Sequence, residues 1–437
     1  MEQLLDAKAS EEGSEKVSRG WMRPSAWLRN QRLSRGFWVI FAIAFFFDFG
    51  ILIYVFMFNL YLLDLHFNDR AIGLVNGAAM LGSIAGTLPA GALARRIGLR
   101  SMMMVCLVSA PALCAVRAMA VGQSVHIVMG FLAGLALCSW GVCFLPAVAQ
   151  TTTAENRASG FSLIFSASVG TGVLGGFLCG YLPGWLAAAG IAMHPVEVKR
   201  LILLASCGIA AMGLLPMLRM RRWLPDRAPI GGPIQERSWR RFMAVDPFLR
   251  RFLPPMALWT VVLTSFAPFS NVYFSRNLHI PLLRIGMIFS VAQIIQLFAT
   301  LLTPLLFRWI GLVNGIVATQ VLTAVALGCL AATQNAQLAV PIYLAFFGMQ
   351  WMSSPGMYNI LLSSVRAENQ SAASSMTLFC NSLVGAISTA AAGILFTRFG
   401  YPHMLVGIAV LAVVAATVFW SLVGSKDSHG LAPQLVS

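Results

Sequence analysis

A chain of 437 residues that is 58% hydrophobic and only 10% charged, with a mean hydropathy of +0.78, is too apolar for an ordinary soluble domain. Its net charge of +15 does not point to nucleic acid, because the basic residues gather in the loops of one side of a membrane rather than on a folded face. Residues 1–36 are polar, with Glu11, Glu12, Lys16, Arg19 and Arg23 and no apolar region followed by a cleavage site, so they read as a cytoplasmic tail rather than a secretory signal. Towards its end Trp21, Trp27 and Trp38 alternate with Arg23, Arg29, Arg32 and Arg35, the mixture of an interfacial segment.

Twelve apolar runs follow, each long enough to cross a hydrocarbon core of roughly 30 Å as a helix. They cover residues 37–63, 71–94, 101–121, 125–150, 159–182, 200–219, 252–274, 284–307, 312–333, 339–362, 372–397 and 402–424. The expected fold class is an all-α integral membrane protein of twelve transmembrane helices. It divides into an N-terminal six-helix half at 37–222, a cytoplasmic connector at 223–251, a C-terminal half at 252–424 and a cytoplasmic tail at 425–437. The connector is basic and rich in proline and glycine, the composition of a linker rather than a domain. With both termini inside, 23 of the 30 Lys and Arg fall on the cytoplasmic side, the bias that orients a multi-pass protein in a plasma (inner) membrane. All eight cysteines fall within the spans and lack the spacing of a metal site, so they read as packing residues, and no metal or cofactor is expected.

An internal repeat supports the division. "ARRIGL" at 94–99 returns 213 positions later as "FRWIGL" at 307–312; the same offset pairs Gly73 with Gly286, Gly180 with Gly393, and Ala154-Glu155-Asn156 with Ala367-Glu368-Asn369. With one residue of slippage, "FNLYLLDLH" at 58–66 matches "SNVYFSRNLH" at 270–279. Six spans separate the copies, so both halves enter the membrane in the same sense and are related by an axis along its normal.

With its twelve spans, six-plus-six repeat, basic central loop and "GALARRIGLR" at 91–100, the chain resembles the major facilitator superfamily (MFS) over about residues 37–424. Gly91, Leu93, Ala94, Arg96, Gly98 and Arg100 fit that family's loop pattern, while Arg95 stands where the family has an aspartate and Leu99 where it has a basic residue. For the cytoplasmic gate the expectation is therefore a substitute pairing of Arg95 or Arg96 with Glu155 or Glu368. The resemblance implies a central cavity lined by the first, fourth, seventh and tenth spans. Those spans carry the polar and aromatic residues Tyr54, Asn59, Trp140, Trp259, Thr264, Asn271, Tyr273, Gln350, Trp351, Tyr358 and Asn359, which are the candidate substrate-binding set.

Asp48 stands apart. Of the 15 acidic residues it is the one deep inside a span, roughly 16 Å along the helix. A carboxylate there costs about 2.5 to 3.5 kcal/mol on insertion scales, a cost that selection removes unless the group is used. It is the expected proton-coupling residue. Arg117, late in the third span, is expected to snorkel to the outer surface. A cavity with one carboxylate, aromatics and no arginine favours lipophilic neutral or cationic solutes.

The expected function is secondary transport by alternating access: proton-coupled export of small lipophilic compounds, or alternatively proton-coupled uptake of a neutral nutrient such as a sugar. "TGVLGG" at 171–176 is similar to a glycine-rich segment of exporters in the resembled family. A transporter-like receptor is the reading from another class, and the short cytoplasmic segments argue against it. An enzyme is not expected, because no histidine neighbours Asp48 in sequence and no paired catalytic constellation is present. The expected partners are a small-molecule substrate, protons and the bilayer, with the chain acting as a monomer.

Overall fold

The computed structural model describes residues 33–153, 156–190, 193–219, 247–365 and 370–424. Within hydrocarbon every backbone N–H and C=O must be satisfied without water, which leaves helices or a closed barrel. The described residues choose helices. They are α1 (Arg35–Asp64), α2 (Asp69–Ile97), α3 (Leu99–Met119), α4 (Gln123–Thr151), α5 (Arg157–Ala188), α6 (Pro195–Met212), α7 (Pro247–Phe266), α8 (Leu282–Ile310), α9 (Leu312–Ala332) and α10 (Ala336–Ser364). The run Gln370–Phe419 is two helices, α11 (370–399) and α12 (401–419), parted at Gly400, whose φ is 75°. Nine stretches of the described residues are long and apolar enough to cross a membrane by composition, one of them covering both α11 and α12; α2 and α10 are the two helices outside these stretches. The twelve helices start and stop within a few residues of the twelve apolar runs.

Two helices are less simple than their hydropathy. Gly213 interrupts α6, which resumes as Leu214–Arg219, and α7 passes through a 3-10 turn at Ala267–Phe269 before resuming as Ser270–Arg276. Pro268 supplies no N–H to a helical ladder, so a break there is the local consequence of sequence.

Helix ends are set by short-range chemistry. Ser34 caps α1 by accepting the Phe37 N–H at 3.0 Å while its own hydroxyl donates to the Thr151 carbonyl at the end of α4. Asn68 caps α2 by accepting the Ala71 N–H at 2.9 Å. Gly98 ends α2 and opens α3 with φ 89° and ψ 155°; Gly311 ends α8 and opens α9 with φ 87° and ψ 158°. Only glycine adopts this backbone without strain, which explains the glycine shared by "ARRIGL" and "FRWIGL". His66 and His279, also 213 positions apart, both take positive φ. The sequence repeat is thus a repeat of backbone conformation.

The same repeat builds the contact between halves. Gly73 of α2 meets Gly393 of α11, and Gly286 of α8 meets Gly180 of α5. Each pair is the other's image under the 213-residue offset. A Cβ added at Gly73 would lie 2.8 Å from the Gly393 Cα, and one at Gly286 would lie 2.9 Å from the Gly180 Cα. Helices approach this closely only through small residues. Both contacts sit towards the end of the bundle that carries the α1–α2, α7–α8 and α11–α12 turns.

Candidate functional site

Two cavities lie at the junction of the halves and share Met80, Ala267 and Pro268 in their walls. The first, of about 440 Å³, is bounded by α1, α2, α3 and α5 of the N-terminal half and by the α7 break, α8 and α10 of the other. The second, of about 470 Å³, is bounded mainly by α7, α10 and α11. Volumes of this size hold a small organic solute.

Of the residues expected to bind substrate, Tyr54, Asn59 and Asn271 face the first lobe, and Trp259, Thr264, Trp351 and Tyr358 face the second. The Trp259 indole N–H is buried and has no hydrogen-bond acceptor among the described residues. Four other candidates lie off the cavity walls. Gln350 and Asn359 are each one residue from a wall residue on α10, and one residue turns a helix by about 100°. Gln350 is buried, with neither amide atom hydrogen-bonded, while Asn359 is exposed. Tyr273 belongs to an aromatic group with Phe266 and Tyr401, ring centroids 5.7 and 5.3 Å away. Trp140 packs on Phe47 and Phe144 at 4.4 and 4.8 Å.

Asn59 and Asn271, matched by the repeat, make a reciprocal brace. The Asn59 amide donates to the Pro268 carbonyl at 2.6 Å, and the Asn271 amide donates to the Phe56 carbonyl at 2.9 Å. Each reaches the carbonyl three residues before its counterpart in the opposite half. The α7 break turns the Pro268 backbone towards the cavity, where the Asn59 amide satisfies its carbonyl. The Asn59 carbonyl oxygen also accepts from Asn76 at 3.1 Å.

Asp48 sits beside the two-lobed cavity rather than in its wall. It occupies a narrow crevice between α1 and α5, among Phe45, Ala167, Ser168 and Thr171. Ile51, one helical turn further along α1, already lines the first lobe. The carboxyl is therefore next to the junction of the halves without blocking it.

Arg117 overturns an expectation. Instead of snorkelling outwards, its side chain is 5% exposed and lines the first lobe, with its guanidinium carbon 4.1 Å from the centre of the Phe58 ring. The cavity therefore does contain an arginine, and a lobe with a fixed cation in its wall does not favour cationic solutes. Asn76, Gln293 and Asn381 are further polar wall residues; they lie on α2, α8 and α11, outside the four spans expected to line the cavity.

One end of the bundle is tied shut across the halves. The Tyr401 hydroxyl donates to Asp69 at 3.2 Å, Arg276 approaches the other Asp69 oxygen at 3.7 Å, and the Arg70 backbone N–H donates to the Thr397 hydroxyl at 2.9 Å. Deeper in, Ser290 of α8 donates to the Val173 carbonyl of α5 at 2.7 Å. At the opposite end, Gly91 and Arg100 are partly exposed, Arg96 is exposed, and Gly98 makes the turn described above. The Arg95 side chain, Glu155 and Glu368 lie outside the described residues.

A family model described as Major Facilitator Superfamily matches residues 39–389. No curated protein matches the sequence. Among solved structures, the nucleoside transporter NupG is similar with a TM-score of 0.74 at 12% identity, covering 89% of this chain and 99% of its own. A bacterial homologue of the human lysosomal transporter Spinster, inward-facing and unoccupied, gives 0.73 at 14% identity over 92% of this chain and all of its own. A D-xylose-proton symporter gives 0.67 at 13% identity over 88% of this chain and 96% of its own. At such identities the likeness is one of fold.

Proposed function

Because the chain belongs to the major facilitator superfamily, we propose that it is a proton-coupled exporter of small, largely apolar solutes working by alternating access from a plasma membrane with both termini cytoplasmic. The observation that carries this reading is the two-lobed cavity at the junction of the halves, close to the glycine contacts and polar ties that hold one end shut. With the connector and tails inside, the tied end is the outer one, and the solute exchanges with the cytoplasm in this state. The direction of export is supported by the "TGVLGG" stretch: Gly172, Gly175 and Gly176 all line the first lobe, and Gly176 lies against α8 of the opposite half.

In the cycle we propose, the halves rock about the cavity, the outer ties part, and the cytoplasmic ends meet. Arg95 or Arg96 then pairs with Glu155 or Glu368, filling the role of the loop aspartate that this chain lacks. Exposed pairs contribute only about 0 to 1 kcal/mol each, so this pairing biases closure rather than enforcing it. Exchanging the charges of Arg95 and Glu368 in one variant restores whatever transport the single reversals lose. Asp48 takes up and releases the coupling proton from its crevice beside the cavity.

Reconstitution tests the reading. Proteoliposomes holding the full chain are expected to exchange a labelled lipophilic solute against its unlabelled form with no gradient present, and to accumulate it when a pH gradient is imposed. Binding of a solute by the purified protein, with no exchange in proteoliposomes, would favour a receptor instead.

A further inference from the structure

Arg117 is a buried cation for which the described protein provides no anion. Its side chain is 95% buried, its Nε has no hydrogen-bond partner, and the described ion pairs join Lys199 to Asp64 and Arg276 to Asp69, leaving the Arg117 guanidinium unpaired. What it does touch is the face of Phe58, at 4.1 Å, and the Gly130 surface of α4, where a Cβ would come within 3.5 Å of its Nη2. These contacts fix the plane of the guanidinium without using its N–H donors. Leaving a charge unpaired in such a place is costly, and buried charges are ordinarily paired. The unpaired guanidinium is also part of the wall of a 440 Å³ cavity.

We infer that Arg117 is the recognition group for the carboxylate of a monoanionic, otherwise apolar solute bound in the first lobe. Several properties of the lobe converge on this class. A planar guanidinium with free donors matches a carboxylate in two parallel hydrogen bonds. One cation compensates one negative charge, which suits a monocarboxylate better than a phosphate dianion. The remaining wall is apolar and aromatic, with Phe56, Phe289 and Phe347 to receive a hydrocarbon or aryl body, and the amides of Asn76 and Gln293 to meet a second polar atom. The inference rests on the transport reading for its biological meaning, but the binding chemistry stands on the lobe itself.

The test uses the full-length purified protein and a panel of aryl and alkyl carboxylates, such as phenylbutyrate, each compared with the amide and the amine of the same skeleton. Binding is read by equilibrium dialysis, and exchange is read in proteoliposomes. The wild type is expected to bind the acids at least roughly tenfold more tightly than their amides, the scale of a hydrogen bond to a charged group, and to reject the amines. Arg117→Gln is expected to bring acid and amide to equal affinity, while Arg117→Lys keeps a reduced preference for the acid. Melting temperatures without ligand report whether each variant folds, and the wild-type comparison stands without any variant. The inference is overturned if amides or amines equal the acids on the wild type, if the preference survives Arg117→Gln, or if no carboxylate of the panel binds. Acid binding that depends on Arg117 without exchange supports the site and counts against transport. Exchange of an amine or amide that ignores Arg117→Gln counts against the site and leaves transport intact.

Discussion

Gly286→Leu is expected to abolish solute exchange by wedging the halves apart at their closed end. A Cβ at this position would stand 2.9 Å from both the Cα and the N of Gly180. Both neighbours are backbone, so no side chain can swing away, and the two helices must separate. Overpacking of this kind costs about 1 to 3 kcal/mol. Applied to one of two alternating states, that shifts their ratio by roughly 5- to 150-fold, enough to stall a cycle that has to visit both. The control is Gly328→Leu on α9, where an added Cβ meets nothing within 4 Å. A leucine there is expected to leave exchange within about twofold of the wild type, the usual range for a substitution away from packed features. Counterflow in proteoliposomes checks both variants. Wild-type exchange by Gly286→Leu would show that the α5–α8 contact is not a moving part of the transport cycle.

The second large effect is expected at Asp48. Asparagine preserves the shape of the side chain, but it cannot take up and give back a proton. Exchange without a gradient needs no coupling and should continue in Asp48→Asn. Accumulation against a solute gradient should disappear. If one proton moves per solute, a pH difference of one unit sustains about tenfold accumulation in the wild type, since one unit is 1.36 kcal/mol; the variant should reach only equality. Were accumulation unchanged, the coupling proton would use another group. Loss of exchange together with accumulation would place Asp48 in the folding of the α1–α5 crevice instead.

Much of the architecture was legible because bilayer thickness and backbone hydrogen bonding leave a long apolar run little choice but a helix. The repeat carried more than topology. Gly73, Gly180, Gly286 and Gly393 were matched by offset in the sequence, and the structure places all four in the contact between halves. Asn59 and Asn271, matched with one residue of slippage, form the reciprocal brace at the α7 break.

What the sequence concealed was the direction in which side chains point. Hydropathy is nearly uniform around these helices, so it does not say which residue of a neighbouring pair, Gln350 or Trp351, turns to the cavity. Arg117 was misplaced for a related reason. An arginine two residues before the end of a helix ordinarily reaches for water, and only the positions of Phe58 on α1 and Gly130 on α4 hold it inwards. The readable signal was its spacing from Cys114, which places both on the α3 face that the Tyr54 hydroxyl meets, at 3.0 Å from the Cys114 carbonyl.

Alternating access itself is tested most directly by distances across the two ends of the bundle. Spin labels at Arg96→Cys with Trp309→Cys report one end, and labels at Arg70→Cys with Arg398→Cys report the other; all four side chains are exposed, and the less buried native cysteines, Cys329 and Cys380, are replaced by alanine. On changing pH or adding a solute that proteoliposomes exchange, the two distances are predicted to move in opposite senses, one end closing as the other opens. Distances that stay fixed, or lengthen and shorten together, under conditions where the solute is still exchanged would contradict a cycle built on the rocking of these two halves.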